Sequence, residues 1–207
     1  HVSLVEKNPI ESIKNNVIGT LNIVDCAINY NVSRFLFIST DKAVKPTTIM
    51  GKTKRLGEKI IKEKVNDKKC NTIFSIVRFG NVLGSSGSVI PLFIEQIESG
   101  GPITLTHKDI KRYFMTIEDA VSLVLEASQF AKGGEIYLLD MGKSIKIYDI
   151  ALKLINLSGL TLKDRNNSHG DIEIKITGLD PIEKLDEELI IAGSTKKTIN
   201  PSIFEVD

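Results

Sequence analysis

The sequence contains no tryptophan, and aromatic residues of all kinds make up only 6% of its 207 residues. With 27 Lys and Arg against 26 Asp and Glu, the net charge is +1, so no basic field exists to attract a phosphate backbone. Few rings to stack on bases and no excess positive charge argue against a dedicated nucleic-acid binder. Two cysteines, Cys26 and Cys70, are too few for a disulfide framework and form no CxxC pair. That usage suits a reducing compartment, and a cytoplasmic location is expected. The three histidines, His1, His107 and His169, lack metal-ligand spacing, so no metal site is expected. No apolar run approaches the roughly 18 residues of a membrane span, and no charged and then apolar leader opens the chain. None of the 15 glycines falls into G-x-G-x-x-G, and there is no Walker A lysine.

What is present reads as α/β. Ile10, Ile13, Val17, Leu21, Val24 and Ile28 recur at helical spacing, with Asn8 as N-cap and Pro9 at the first helical position. Gly19 within that pattern predicts close approach to a neighbouring element. Cys26 reads as a small buried hydrophobe of the same helix. Arg34–Thr40 is a short apolar run fitting a strand buried on both faces. A helix over Ile49–Val65 and a second buried strand over Asn71–Arg78 complete a strand–helix–strand crossover, which requires a parallel sheet. The charge run Lys62–Lys69 reads as a solvated face. Further on, helices are predicted over Val89–Ser99, Ile117–Phe130 and Ile145–Leu157, the last stopped by Gly159. Strands are predicted over Ile103–Thr106, Glu135–Leu139 and Asp171–Ile176, with a loop from Lys163 to Gly170.

The segment from Ser39 to Arg55 reads S-T-D-K-A-V-K-P-T-T-I-M-G-K-T-K-R. Thr40, Asp41 and Lys42 fall just past the carboxyl end of a buried strand, where open α/β sheets place their ligands. A carboxyl group beside an amine can divide acid and base roles. Met50 and Lys54 share one helix face. The same residues also fit an ordinary surface Asp–Lys pair and a core methionine. Gly84–Gly87 (G-S-S-G) fits a turn or a phosphate-cradling loop.

This segment resembles the active-site stretch of the CapD-like polysaccharide-biosynthesis nucleotide-sugar 4,6-dehydratases, of the extended short-chain dehydrogenase/reductase superfamily. The resemblance continues through Asn16–Asn22 (N-V-I-G-T-L-N), Arg78–Pro91 (R-F-G-N-V-L-G-S-S-G-S-V-I-P), Gly101–His107 and Arg112–Ala120 (R-Y-F-M-T-I-E-D-A). It implies the second half of a Rossmann-like parallel sheet, residues 1–80, and a small mixed α/β substrate-binding lobe. That lobe takes most of 81–207, with short returns to the sheet. It implies a UDP-N-acetylhexosamine-like substrate, NADP with NAD as the alternative, and a product with a 4-keto group and no 6-hydroxyl, made for surface glycans. Thr40, Asp41, Lys42, Met50 and Lys54 become the catalytic set, with Asp41 and Lys42 as acid and base for loss of water across C5 and C6. Ser39, Lys54, Phe79 and Gly80 become cofactor-binding, with Lys54 on the nicotinamide ribose. Asn81, Ser88, Val89 and Arg112 become substrate-binding, Arg112 through charge-assisted bonds to phosphate.

The sequence departs from the wider superfamily at Met50, where tyrosine is usual. A thioether cannot accept the C4 hydroxyl proton, which leaves Asp41, Lys42 or a bound water. Gly178–Leu185 (G-L-D-P-I-E-K-L) resembles a family segment reading G-L-R-P-G-E-K-L, so Asp180 replaces an arginine and Ile182 a glycine. A carboxylate in place of that cation weakens anion binding. The chain opens at His1 as if within a loop, and the Gly-rich cofactor turn is expected upstream in a longer protein. That protein is expected to be a homo-oligomer and a candidate for membrane anchoring. Two other readings fit the same blocks. One is a nucleotide-sugar epimerase or related oxidoreductase; the other is a non-catalytic short form that binds a nucleotide sugar or a partner subunit.

Overall fold

A computed structural model describes residues 2–66, 70–85, 88–179, 183–187 and 195–206. His1, Asp67–Lys69 of the charge run, Ser86 and Gly87 of the G-S-S-G segment, and Asp180 and Ile182 lie outside the described residues. The chain divides into two compact units. Unit 1 takes His1–Gly80, Glu118–Met141 and Glu188–Asp207; unit 2 takes Asn81–Ile117 and Gly142–Glu187. No helix among the described residues is long and apolar enough to cross a membrane.

Elements are numbered in chain order. Unit 1 begins with α1 (Val2–Lys7), α2 (Pro9–Ile13), a π-helical turn (Lys14–Ile18) and α3 (Gly19–Asn29). Helix α1 was not foreseen, and it changes the role of Asn8. The Asn8 side chain makes no cap bond to α2 and instead donates back to the Leu4 carbonyl at 2.9 Å. The π turn inserts an extra residue, so the apolar stripe read from the sequence breaks there. Val24 is fully buried, whereas Ile10, Ile13 and Leu21 remain exposed. Cys26 is exposed, not buried. At 100° per residue it falls opposite the face on which Val24 and Ala27 enter the core. Gly19 makes no close approach either, since a Cβ there would meet only the Lys14 carbonyl oxygen at 3.6 Å.

The crossover predicted from the sequence is present as β1 (Arg34–Thr40), α4 (Ile49–Val65) and β2 (Ile73–Phe79), with the strands parallel and Thr40 beside Phe79. Strand β2 buries its five inner residues, as a two-face-covered strand should. Strand β1 does not: Ile38 is 40% exposed, and β1 forms one edge of the sheet among the described residues. Helix α6 (Ile117–Phe130) leads into β7 (Ile136–Leu139), which extends the parallel run beyond β2. Strands β12 (Ile203–Val206) and β11 (Thr195–Lys197) then add on antiparallel, giving the order β1-β2-β7-β12-β11. Val24, Phe37, Ile61, Phe74, Ile76 and Ile136 form the core between sheet and helices.

Unit 2 contains β3 (Asn81–Val82), α5 (Val89–Glu98), β4 (Ile103–Leu105), β5 (Lys111–Arg112) and β6 (Phe114–Met115). After unit 1 takes its middle segment, β8 (Ile145–Lys146), α7 (Ile147–Leu157), β9 (Leu162–Lys163) and β10 (Ile172–Ile176) complete it. Strand β10 pairs parallel with both β4 and β9. Residues 145–146 form a strand rather than the start of α7, because β5 pairs with them antiparallel. Phe93, Ile103, Leu105, Ile147, Ile155 and Ile172 centre the core of this unit.

Two glycines of α4 have spatial reasons the sequence did not disclose. At Gly57 a Cβ would sit 2.6 Å from the buried Phe37 ring. At Gly51 it would overlap the Lys42 carbonyl oxygen, with Lys42 C at 3.1 Å and the Pro46 Cβ at 3.3 Å. The obstacle at Gly51 is backbone, which cannot rotate away. Gly51→Ala is therefore expected to destabilise the protein by about 1–3 kcal/mol, despite the better helix propensity of alanine. Urea unfolding of the variant tests this, and equal or greater stability would refute it.

Candidate active site

Strand β1 ends at Thr40, whose extended backbone (φ −143°, ψ 154°) caps a 3-10 turn over Asp41–Ala43. The Thr40 hydroxyl donates to Asp41 Oδ1 at 2.7 Å, and the Lys42 amide donates to the same oxygen at 2.9 Å. Lys42 Nζ lies 3.1 Å from Asp41 Oδ1. The Asp41 side chain is 1% exposed and that of Lys42 24%. A carboxylate at that depth requires compensation, and the hydroxyl, amide and ammonium provide it. This is not the solvated surface pair that the sequence also allowed. Asp41 and Lys42 form a sequestered pair, with the lysine on its more open side.

Thr48 caps α4 by accepting from the Gly51 amide at 3.1 Å, which fixes where the helix begins. The Met50 amide donates to Glu6 Oε1 at 3.3 Å, leaving the thioether half-buried in the first turn. One turn on, Lys54 Nζ donates to the Ile38 carbonyl at 3.1 Å and lies 5.0 Å over the Phe37 ring. Burial lowers the Lys54 ammonium below the ordinary lysine value, and the charge of Glu58 opposes that fall. Across the sheet, Phe79 closes β2 and the Gly80 amide donates to Met141 Sδ at 3.4 Å. Unit 1 thus gathers Ser39, Thr40, Asp41, Lys42, Lys54, Phe79 and Gly80 on two adjacent strand ends and the facing helix.

Behind these residues lies a group the sequence reading passed over. Glu58 is 1% exposed, and its carboxylate accepts from Ser39 Oγ at 2.7 Å, Arg55 Nη1 at 3.0 Å, and Arg78 Nε and Nη2 at 2.6 Å each. Burial alone would raise this carboxyl. The bonds and charge of Arg78, then the bonds from Ser39 and Arg55, outweigh it and hold Glu58 below the ordinary glutamate value. The available signal was Arg78 itself. A cation inside the apolar strand I-F-S-I-V-R-F demands a buried counter-ion, and Glu58 on the crossover helix is within reach.

Unit 2 holds the remaining predicted residues. Arg112 on β5 is engaged by protein groups: Nη2 to Glu183 Oε1 at 3.1 Å, Nε to Glu187 Oε1 at 3.4 Å, and Nη1 to the Lys111 carbonyl at 2.7 Å. Asn81 Nδ2 donates to Glu187 Oε2 and to the Tyr113 carbonyl, both at 3.1 Å, so Asn81 and Arg112 share one carboxylate. Neither glutamate was singled out from the sequence. Ser88 and Val89 open α5, and the buried Ser88 hydroxyl has no hydrogen-bond partner among the described residues. No cluster of three or more metal-ligating side chains occurs among the described residues.

The donor set in unit 1 fits a nicotinamide ribose. Lys54 is a half-buried ammonium with three donors, one of them on the Ile38 carbonyl, and a ribose diol can accept the others.

The family model described as "Polysaccharide biosynthesis protein" matches residues 1–207, and the chain belongs to that family. The capsular polysaccharide biosynthesis protein CapD of Staphylococcus aureus is 52% identical over 201 residues, 97% of this chain and 32% of CapD. The chain therefore spans about a third of the length of such curated relatives. Among solved structures, Pen from Bacillus thuringiensis superposes with a TM-score of 0.87 at 36% identity, covering 100% of this chain and 61% of Pen. DesIV of Streptomyces venezuelae, a dTDP-glucose 4,6-dehydratase solved with NAD, gives 0.78 at 19% identity over 92% of this chain and 61% of its own. That likeness shows the shared fold alone, a Rossmann-like α/β architecture. Relatives and structural neighbours include both nucleotide-sugar dehydratases and epimerases.

The Glu58–Arg78 pair yields a prediction with a definite sign. The folded-state value of Glu58 is depressed, so its stabilisation is present above the unfolded-state glutamate value and lost as pH falls through the folded one. Arg78→Met, which strands the carboxylate, is expected to cost about 3–5 kcal/mol at neutral pH. The gap to wild type should narrow as pH falls through the acid range, because wild type loses the ion pair on protonation while the variant's stranded carboxyl is relieved by it. Urea unfolding across that range checks it; a gap independent of pH would show the pair is not held by charge.

Proposed function

We propose that this member of the polysaccharide biosynthesis family is part of a UDP-N-acetylhexosamine 4,6-dehydratase that makes a 4-keto-6-deoxy sugar nucleotide for surface polysaccharide. The observation that carries the reading is the buried Thr40–Asp41–Lys42 arrangement at the end of β1, with Lys54 on the helix facing it. Asp41 Oδ1 and Lys42 Nζ are 3.1 Å apart, so a proton can pass between them without crossing bulk water. In the carboxylic acid and amine form, the pair offers an acid for the departing C6 hydroxyl and a base for the C5 proton. Thr40 orients the carboxylate by donating to Oδ1, while Oδ2 lies 3.5 Å from Lys42 Nζ.

A bound nicotinamide dinucleotide, NADP on the family resemblance, would supply oxidation at C4 and reduction at C6. Lys54 would hold its ribose, with Ser39, Phe79 and Gly80 lining its place at the strand ends. Met50 offers no site for a proton, so deprotonation of the C4 hydroxyl falls to Asp41, Lys42 or a bound water. In unit 2, Arg112 is assigned to the substrate diphosphate, where it would exchange or share its carboxylate partners. Asn81, Ser88 and Val89 are assigned to the same substrate. The Ser88 hydroxyl supports this, because it is a buried donor and acceptor with unused capacity among the described residues.

Epimerization at C4 is the competing outcome, since epimerases stand among the relatives. The full-length protein is to be incubated with UDP-N-acetylglucosamine and NADP or NAD, and the product followed by NMR. Loss of the C6 hydroxyl with a new C4 ketone is expected. A C4 epimer that keeps its C6 hydroxyl would overturn the dehydratase reading. Asp41→Asn should lower kcat by about 100-fold or more, and full activity in that variant would remove Asp41 from its role.

A further inference from the structure

Glu58 has no part in the chemistry proposed above, yet its buried carboxylate accepts four hydrogen bonds from three side chains. Its two oxygens reach three elements: Ser39 on β1, Arg55 on its own helix and Arg78 on β2. Ser39 and Arg78 are register partners on the paired strands, so one carboxylate joins both strands at the same level. The next residue after Ser39 is Thr40, followed by Asp41 and Lys42. The next residue after Arg78 is Phe79, followed by Gly80. Lys54 stands one helical turn before Glu58 on α4.

The other carboxylates on elements packed against α4 have their own partners. Glu11 pairs with Lys14, Asp25 with Lys64 and Asp41 with Lys42, while Glu6 accepts the Met50 amide. Strand β1 offers Lys54 only the Ile38 carbonyl and the face of Phe37. Arg55 and Arg78 are the cations that share the Glu58 oxygens.

We propose that Glu58 is a positioning residue for the active site. It locks the ends of β1 and β2 and the Lys54 turn of α4 into one geometry, and it sets a negative charge one helical turn from Lys54. The burial of Lys54 works against its charge, and Glu58 is the group that works for it. A mere brace would need the hydrogen bonds of Glu58 but would be indifferent to the ionisation of Lys54.

The inference uses Lys54 as the ribose ligand and so rests on the functional reading above, but its decisive test needs no turnover. Full-length wild-type protein and Glu58→Gln, which keeps shape and loses charge, are acetylated across a pH series. Labelling at Lys54 is then read by mass spectrometry, with the exposed Lys52 and Lys59 of the same helix as internal references. Lys54 is expected to become reactive at lower pH in Glu58→Gln, with Lys52 and Lys59 unchanged. If the single variant does not fold, the charge-neutral double variant Glu58→Gln/Arg78→Met avoids a stranded guanidinium and is expected to move Lys54 the same way. An unchanged Lys54 profile in whichever variant folds overturns the proposal. Where wild type turns over, Glu58→Gln should lose about tenfold or more in kcat with KM little changed. No product from wild type would sink the dehydratase reading and leave the Lys54 result standing.

Discussion

A single buried carboxylate governs the geometry of unit 1. Strand β2 carries Arg78 as a buried cation between Val77 and Phe79, and a guanidinium cannot be left there alone. Its partner must come from the crossover helix, and this sets both the rotation and the height of α4 over the strands. Once Glu58 is seated, Gly57 is pressed onto Phe37 and Gly51 onto the backbone of the Asp41–Ala43 turn. The two glycines are where that seating allows no side chain. Replacing such an ion pair with hydrocarbon often costs nothing in stability. Its value here lies in fixing where two strand ends stop.

That constraint gives the neighbouring Asp41–Lys42 ion pair its environment. Asp41 is almost wholly withdrawn from water and depends on Thr40 and Lys42 for compensation, while Lys42 stays partly open. A pair at the surface would be screened by solvent and salt. The Asp41–Lys42 pair is held at a strand end, with its backbone turn wedged against Gly51. The methionine at position 50 fits this picture, since a half-buried thioether adds bulk and no competing proton site.

Much of this was legible in the sequence, in proportion to how local the signal was. Helices α4 and α6 stand where their apolar patterns put them, because each buries a face long enough to show its period, and β1 stands where its continuous apolar run put it, though it is not buried on both faces. The motif S-T-D-K marked the end of β1 and the turn after it, and the family blocks led to the family the chain belongs to. The failures have physical causes. The helix read from Pro9 onward contains a π turn that breaks its single period, and Ile10, Ile13 and Leu21 on either side of it stay exposed. Two-residue strands such as β3, β5 and β8 have no period to detect and exist only through their partners. Glu183 and Glu187 read as ordinary surface acids until β5 brings Arg112 to them. Glu58 was hidden in the same way, as one charged residue on a helix rich in them.

The route of the chain has a bearing on how such a protein is made. Unit 1 is assembled from three stretches of sequence and unit 2 from two, so the chain leaves the first sheet and returns to it twice. Strand β7 can join β2 only after the first half of unit 2 has been synthesised. Strands β12 and β11 can add to β7 only after the second half has followed. On the ribosome, β1, α4 and β2 therefore emerge with the inner edge of β2 unpaired for the whole interval. Closing that edge requires contacts distant in sequence, which form slowly. The buried Glu58–Arg78 bond is available from the start, since all of its groups lie within the first crossover. It can hold the nascent strands in register while the rest of their sheet is still being translated.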